Sequence, residues 1–294
     1  MLGKYIANTI MLSWKMDRAY CEKMERERGF NRDFDDYDKV WDRHPFAIES
    51  DDATISGEYI INPANTGLKK VALICHGLSS VRYADLKYAT SFYDLGYNLV
   101  LFDERYFGKS TGPYCTMGYK ESDDVKRIIR YIHEIFGKDC FLALHGESMG
   151  AATSLNILDT EKPDLVVADC PFADADLLLK DLAFKHALFL GPLARKKAVR
   201  IGLKRYNYDY RVVKPISSVK SSSVPILFMH GSNDKLIDCK HSKMMYEVCK
   251  NPMSEIHLFS GADHAQSIVK DTVNYEKIMK AFIEKVEVES GLLG

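Results

Sequence analysis

The spacing of hydrophobic positions changes about 70 residues into the chain. Before that point, residues 46–50 and 54–62 alternate between apolar and polar side chains, separated by Asp51 and Asp52. This alternation predicts an antiparallel hairpin, because successive side chains of a strand point to opposite faces. Beyond it, short apolar runs alternate with segments of helical periodicity. The predicted strands lie at 71–75, 98–102, 141–144, 165–168, 225–229 and 256–259, and the predicted helices at 83–95, 119–136, 149–158, 238–250 and 266–286.

Apolar strands that alternate with helices are typical of a parallel sheet covered on both faces. The predicted fold class is therefore α/β, a mostly parallel sheet with helices on both faces and an N-terminal antiparallel hairpin. Residues 173–222 separate two strands where one helix would suffice, so we interpret them as a helical cap insertion. The predicted domains are an N-terminal helical extension (1–43), a core (44–172 and 223–294) and the cap. The acidic stretch 33–38 predicts a solvated turn.

The beginning of the extension carries apolar residues at helical spacing. Residues 1–28 predict one helix, with Ile6, Ile10, Met11 and Trp14 on a common face. We expect this helix to pack on the body of the protein, with contact to a membrane surface or a partner as the alternative. A signal peptide is not expected, because the apolar stretch is short, interrupted by polar residues and without a small-residue cleavage site.

Composition limits the class of protein. The chain has 294 residues, of which 46% are hydrophobic, and a formal net charge of −1. These values exclude wholesale disorder and argue against nucleic-acid binding through overall charge. Seven scattered cysteines form no CxxC pair, so we predict neither a disulfide framework nor a metal site. Reduced thiols indicate a cytoplasmic protein, and no apolar run is long enough to span a membrane.

The strongest local signal is the segment Gly146-Glu147-Ser148-Met149-Gly150, which follows the predicted strand 141–144 and opens a predicted helix. This is the G-x-S-x-G pattern of a nucleophile elbow. Its glycines permit a turn too tight for side chains, and the turn exposes the serine hydroxyl above the end of the sheet. Ser148 is therefore the candidate nucleophile.

A serine hydroxyl needs a base, and the base needs an orienting carboxylate. This elbow requires the chain order serine, acid, histidine. Asp234 and His264 each follow a predicted strand in that order, and the carboxyl ends of parallel strands meet at one edge of a sheet. We therefore predict Asp234 as the acid and His264 as the base. Asp103, Asp169 and Asp263 are competing carboxylates that can instead be structural.

The oxyanion formed during acyl transfer needs preorganised N–H donors. One predicted donor is the amide of Met149, which follows the nucleophile at a helix N-terminus. The other is the amide of Leu78, in the loop after strand 71–75, where Gly77 permits a close turn. We interpret His76 in the same loop as a structural hydrogen-bonding residue.

Together these motifs resemble the α/β-hydrolase superfamily, and the resemblance covers about residues 44–286. The HG loop and the cap position are similar to the serine aminopeptidase, monoglyceride-lipase and bacterial esterase branch. Tyr106 departs from the family's D-x-R-G-x-G-x-S loop, where glycine is usual. The family's fold and its lack of a metal or organic cofactor are what the resemblance implies. The matching positions are His76-Gly77, the run 103–110, the Gly146–Gly150 elbow, His230-Gly231 with Asp234, and His264.

The leading functional hypothesis is a serine hydrolase that cleaves carboxylic esters with short to medium acyl or aryl groups. Its expected partner is a small-molecule ester, and no nucleic acid is expected. A peptidase of the same fold is an alternative, but it would need acidic residues in the cap to hold an amino terminus. The third hypothesis is a non-catalytic binding protein on the same scaffold. The sequence does not determine the oligomeric state.

The cap carries two kinds of residue that bear on specificity. Residues 193–214 contain eight arginines and lysines against the single acid Asp209. At the pocket mouth, they would favour anionic substrates or weak contact with an anionic membrane, although a solvated surface is the simpler interpretation. The residues expected to supply apolar walls are Leu177, Leu178, Leu179, Phe184, Leu188 and Phe189.

Overall fold

Eight strands form one sheet in a computed structural model that describes residues 11–65, 69–187 and 191–292. The sheet order is β1-β2-β4-β3-β5-β6-β7-β8, with antiparallel pairing of β1 to β2 and of β2 to β4, and parallel pairing elsewhere. The predicted fold class is confirmed. The strands are β1 (Asp42–Ser50), β2 (Ala53–Ile61), β3 (Lys70–Cys75), β4 (Asn98–Phe102), β5 (Phe141–Glu147), β6 (Leu165–Asp169), β7 (Ile226–Gly231) and β8 (Glu255–Phe259).

Helices cover both faces of this sheet. Residues of β3 show how the faces are shared, because Ala72 and Ile74 belong to one apolar cluster while Val71 and Leu73 belong to the other. The helices are α1 (Arg18–Glu27), α2 (Asn31–Lys39), α3 (Leu86–Asp94), α4 (Tyr119–Phe136), α5 (Met149–Asn156), α6 (Ala175–Ala187), α7 (Gly191–Tyr206), α8 (Pro215–Ser221), α9 (Lys240–Glu247), α10 (Ser267–Lys270) and α11 (Thr272–Glu289), with 3₁₀ turns at Arg82–Asp85 and Tyr210–Val212.

The N-terminal extension differs from the single helix predicted for residues 1–28. Residues 13–17 are not helical, and α1 begins only after Asp17, whose side chain accepts a hydrogen bond from the Tyr20 amide. Met11 is fully buried while Trp14 is 59% exposed, so these two residues do not share a packed face. The other members of the predicted face, Ile6 and Ile10, lie outside the described residues, so the membrane contact remains a prediction.

The acidic stretch 33–38 is a helix and not the predicted turn. Helix α2 runs through it and buries Phe34 and Tyr37, which lie one turn apart on the same side. The aspartates between them point away from this face or pair with arginines, as Asp36 does with Arg32 at 3.0 Å. Two large aromatic side chains at helical spacing therefore outweigh the low helix propensity of the acids.

The interrupting segment 173–222 contains α6, α7, a 3₁₀ turn and α8. Its first part packs over the carboxyl edge of the sheet, where Leu178, Leu179 and Tyr210 join a third apolar cluster. Its last helix, α8, packs on one face of the sheet beside α4 and α5. Val219 lies in the same apolar cluster as residues of those two helices, and Ser218 Oγ donates to the Asn156 carbonyl. Among the described residues, no helix combines the length and apolarity needed to cross a membrane.

Candidate active site

The turn between β5 and α5 holds Ser148 in a strained conformation. Ser148 has φ +56° and ψ −111°, a region that residues with a side chain rarely adopt. A Cβ atom at Gly146 would lie 2.4 Å from the Ala151 amide nitrogen, and one at Gly150 would lie 2.0 Å from the Cys75 carbonyl oxygen. Only glycine fits at both positions, so the two glycines allow the backbone approach that presents the serine hydroxyl.

The structure brings the three predicted side chains together at the carboxyl edge of the sheet. His264 Nε2 lies 2.9 Å from Ser148 Oγ, and His264 Nδ1 lies 2.7 Å from Asp234 Oδ2. Because an ionised carboxylate can only accept, Nδ1 carries the proton and Nε2 is left to accept the serine hydroxyl hydrogen. The imidazole is therefore in the tautomer that a general base for Ser148 requires.

Hydrogen bonds keep Asp234 ionised although its side chain is buried. Its Oδ1 accepts from the amides of Leu236 and Ile237, each at 2.8 Å. Burial alone would raise the pKa of Asp234, but hydrogen bonds from His230 and His264 outweigh it and hold the pKa well below its usual range. Burial alone would lower the pKa of His264, and the bond to Asp234 with its charge outweighs that effect and raises it.

A second histidine, His230, contacts the same carboxylate oxygen from the other side. Its Nε2 lies 3.2 Å from Asp234 Oδ2 and 2.8 Å from the Ile237 carbonyl oxygen, and both of these atoms accept. Nε2 therefore carries the proton, while Nδ1 at 2.7 Å accepts from the Ser242 hydroxyl. This role of His230 was not predicted from the sequence. The signal that could have indicated it is a histidine at the end of a buried strand, four residues before the acid.

The three competing carboxylates have other partners. Asp103 accepts from the amides of Arg82 and Lys109 and fixes the loop after β4. Asp263 accepts from the amides of Lys235 and His264, and so ties two loops of the site together. Asp169 accepts from the Tyr88 hydroxyl at 3.1 Å. Of the four candidates, only Asp234 bonds to the His264 ring.

The two predicted oxyanion donors lie at the same cavity as Ser148. Within the described part of the chain, the amides of Leu78 and Met149 donate to no other protein group. His76 fixes the first of these loops, because its Nε2 accepts from the Glu104 amide at 2.8 Å and its Nδ1 lies 2.8 Å from the Gly77 carbonyl oxygen. These contacts support the structural interpretation of His76 and leave the two amides available to a ligand.

An apolar cavity of about 300 Å³ opens beside the serine hydroxyl. Residues from the core loops form one side of it, and helix α6 with the 3₁₀ turn of the cap forms the other. Such a space suits a hydrocarbon or aromatic group, because its walls offer few polar partners. The apolar residues that line it are Leu78, Met117, Met149, Phe172, Ala175, Leu178, Leu179, Leu182, Tyr210, Leu236 and Ile237.

The predicted cap walls are correct in part. Leu178 and Leu179 line the cavity, whereas Leu177 does not, and Phe184 is 65% exposed. Helical periodicity explains the difference, because Leu178 and Leu179 each lie three or four residues before Leu182 and share its side of α6, whereas Leu177 lies about 200° around the helix from Leu179. The structure adds Leu182, one turn beyond Leu178. The remaining two predicted walls, Leu188 and Phe189, lie outside the described residues.

The basic run of the cap does not border this cavity. No described residue of α7 lines it, and the α7 cations instead line a separate surface groove. Two of the eight cations pair with acids outside the run, Arg195 with Asp176 at 2.5 Å and Lys214 with Asp174 at 3.9 Å. The cations of α7 therefore do not lie at the pocket mouth, which agrees with the simpler interpretation of a solvated surface.

Metal-ligating atoms meet once among the described residues, where Cys170, Asp234 and His264 offer atoms within 4.8 Å of one another. The hydrogen bond between Asp234 and His264 already accounts for this proximity. Cys170 is fully buried, and burial raises the pKa of its thiol, which disfavours the thiolate that binds metals. These three residues therefore fit a hydrogen-bonded Asp234–His264 pair next to a buried, protonated Cys170 better than a metal site.

Comparisons with known proteins match the chain to two families. Residues 71–199 match the alpha/beta hydrolase fold family, and residues 194–283 match the dienelactone hydrolase family. Protein YqkD of Bacillus subtilis, itself uncharacterized, is 28% identical over 289 residues, which is 97% of this chain and 93% of YqkD.

Two solved structures show the same fold. The Pyrococcus furiosus esterase Pf2001 superposes with a TM-score of 0.69 at 23% identity, covering 85% of this chain and 93% of the esterase. The Pyrococcus horikoshii acylaminoacyl peptidase superposes with a TM-score of 0.63 at 18% identity, covering 87% of this chain and 43% of the peptidase. With the eight-stranded sheet and the two family matches, the chain therefore belongs to the α/β-hydrolase superfamily of hydrolases.

Proposed function

We propose that the protein is a serine hydrolase that cleaves carboxylic esters of apolar acids through an acyl-enzyme intermediate. The single observation that carries this proposal is the position of the His264 ring, which bonds Ser148 Oγ at 2.9 Å and Asp234 at 2.7 Å. A nucleophile, a base and an orienting acid in this order can perform acyl transfer when backbone amides stabilise the oxyanion.

In the first half of the reaction, Ser148 Oγ attacks the acyl carbon and its proton passes to His264 Nε2. The carbonyl oxygen gains the negative charge and lies between the amides of Leu78 and Met149, which donate to it. Asp234 stabilises the imidazolium that forms. When the tetrahedral intermediate collapses, the bond to the alcohol oxygen breaks and His264 returns the proton to that oxygen.

In the second half, water replaces the alcohol. His264 takes a proton from the water, whose oxygen attacks the acyl carbon of the ester bond to Ser148. The second intermediate collapses with return of the proton to Ser148 Oγ, and the free acid leaves. The apolar cavity of about 300 Å³ supports acyl or aryl groups of short to medium length as the part of the substrate that the protein binds.

The peptidase alternative finds less support. An amino terminus would need a free carboxylate near Ser148, and Glu147 is the acidic residue that lines the cavity. Its carboxylate is already engaged, because Tyr88 donates to Oε2 at 2.9 Å and Lys87 Nζ lies 3.3 Å from the same oxygen. We therefore propose esters ahead of peptides.

The nucleophile is tested with a fluorophosphonate probe and p-nitrophenyl octanoate. We expect the wild type to be labelled and Ser148→Ala to lose both labelling and ester hydrolysis, because the attacking oxygen is gone. Ser79→Ala is a matched control, since Ser79 also lines the cavity but does not contact His264. Undiminished hydrolysis by a folded Ser148→Ala protein, checked by circular dichroism, would contradict the mechanism.

A further inference from the structure

A groove lined by lysines adjoins the apolar cavity at the triad. The groove has a volume of about 330 Å³ and reaches Asp234. Two of its lining residues, Leu182 and Leu236, also line the cavity. Four lysines contribute to the groove: Lys180 and Lys185 from α6, Lys235 from the loop after β7, and Lys240 from α9. We call these four residues the lysine rim.

The groove has a small surplus of positive charge, because its four lysines face three aspartates, Asp181, Asp234 and Asp238. Lys240 is matched, because its Nζ lies 2.6 Å from Asp181 Oδ2. Lys235 reaches Asp263 only at 4.0 Å. Within the described residues, no carboxylate lies at ion-pair distance from Lys180 or Lys185, and Lys185 Nζ donates to the Lys235 carbonyl oxygen.

The three aspartates of the groove keep their negative charges but lie away from Lys180 and Lys185. Asp234 is buried between His264 and His230, and Asp238 accepts from the Lys240 amide at the start of α9. An anion beside Lys180 and Lys185 would therefore meet two ammonium groups that have no carboxylate at ion-pair distance among the described residues.

The rim also has apolar residues that cover no core. Phe184 is 65% exposed and Leu236 is 49% exposed, and both line the groove between the lysines. A ligand that extends from the cavity into the groove thus passes from a mostly apolar wall to a mixed one and then to positive charge. This is the profile of an amphiphile with a hydrocarbon chain at one end and an anionic group at the other.

We propose that the lysine rim binds the anionic group of an amphiphilic ester, with the acyl chain in the cavity and the negatively charged alcohol portion over Lys180 and Lys185. This inference rests on the proposed ester hydrolysis and names its substrate class. A carboxylate, sulfonate or phosphate monoester would satisfy the same ammonium donors. The ester bond lies between the two binding regions, where Ser148 and the two oxyanion amides meet.

The test compares two octanoate esters of similar size, 4-sulfophenyl octanoate and the neutral 4-sulfamoylphenyl octanoate, both dispersed below their micelle-forming concentrations. We expect the wild type to prefer the anionic ester in kcat/KM, and the double variant Lys180→Glu with Lys185→Glu to lower this ratio by about tenfold, because exposed charge pairs are individually weak. Raising the ionic strength from about 0.01 M to about 1 M should move the wild-type ratio toward one, as screening shortens the Debye length.

The matched control is Lys196→Glu with Lys197→Glu on α7. This pair makes the same change in net charge, but it lies in the separate basic groove of α7. We expect it to leave the ratio near the wild-type value. An equal fall in both double variants would show an effect of overall charge and would overturn the proposal, as would a wild-type ratio of one at low salt.

Two further outcomes separate this inference from its alternatives. If neither ester is hydrolysed and Ser148 is not labelled by fluorophosphonate, the proposed function itself fails. If both esters are hydrolysed equally, the proposed function stands and the lysine rim is not a subsite. A preference that occurs only when the anionic ester is embedded in phosphatidylglycerol vesicles, and not for the dispersed ester, would assign the rim to a bilayer and overturn the proposal.

Discussion

Asp234 and Asp169 occupy similar places with opposite electrostatic outcomes. Asp169 is the last residue of β6, Asp234 follows the neighbouring strand β7, and both side chains are fully buried. The pKa of Asp234 lies well below its usual range. Burial raises the pKa of Asp169 to about 6, and the nearby Glu147 charge adds to this effect.

The difference lies in the hydrogen bonds that each carboxylate accepts. Asp234 accepts from two backbone amides and from two histidines. Asp169 accepts from the Tyr88 hydroxyl, and the Tyr275 hydroxyl also lowers its pKa, but among the described residues no backbone amide donates to its side chain. Burial therefore does not by itself fix the charge of a strand-end carboxylate. The loop after β7 supplies the donors that make Asp234 suitable as an orienting acid.

The largest expected effect is a loss of activity when the triad carboxylate is replaced, and it tests the difference between Asp234 and Asp169 directly. Asp234→Asn should lower kcat for ester hydrolysis by about 10⁴-fold, because His264 loses the partner that sets its tautomer and stabilises its charge. Asp169→Asn is the matched control and should lower kcat by less than about tenfold, since this carboxylate does not contact His264. The opposite order of the two losses would transfer the role of the acid to Asp169.

The sequence allowed the triad to be predicted because each member follows a buried strand, and the carboxyl ends of parallel strands converge. It could not distinguish the two carboxylates by their donors, because the direction of the Leu236 and Ile237 amides depends on the turn after β7, and Tyr88, which donates to Asp169, lies 81 residues away in the chain. The same limit applies to the lysine rim, where Lys180 and Lys235 meet only through the folding of the cap. In the extension, high charge concealed the short apolar face that Phe34 and Tyr37 form on α2.

A smaller effect is expected at His230, which supports Asp234 without touching the reacting atoms. His230→Asn keeps an amide near the Nδ1 position facing Ser242 but removes the donor to Asp234, whereas His230→Gln retains a donor near the Nε2 position. Losing one charge-assisted hydrogen bond should lower kcat by about tenfold in the asparagine variant. The glutamine variant should recover most of the activity.

The pH profile separates positioning from a general loss of stability at His230. Neutral His264 accepts the serine proton, so activity is present above its pKa and falls as the pH decreases through it. Asp234 already raises the pKa of His264, and without the His230 donor its carboxylate is more basic. The acid limb of kcat/KM should therefore move to higher pH in His230→Asn and not in His230→Gln. Equal profiles for all three proteins would assign His230 a purely structural role.

The smallest effect concerns the free energy of unfolding, which decreases when the buried Asp169 ionises. Its pKa of about 6 in the folded protein lies above the value of about 3.9 in an unfolded chain, so the folded state favours the protonated carboxyl. That favourable contribution is fully present below about pH 4 and is lost as the pH rises through about 6. The asparagine of Asp169→Asn cannot ionise, so this variant has no such loss of stability.

In urea unfolding, the free energy of unfolding of Asp169→Asn relative to the wild type should thus increase by about 1–3 kcal/mol between pH 4 and pH 8. Asp159→Asn, at an exposed position, controls for the simple loss of a carboxylate, and a difference that does not vary with pH for Asp169→Asn would show that the two strand-end aspartates share one charge state.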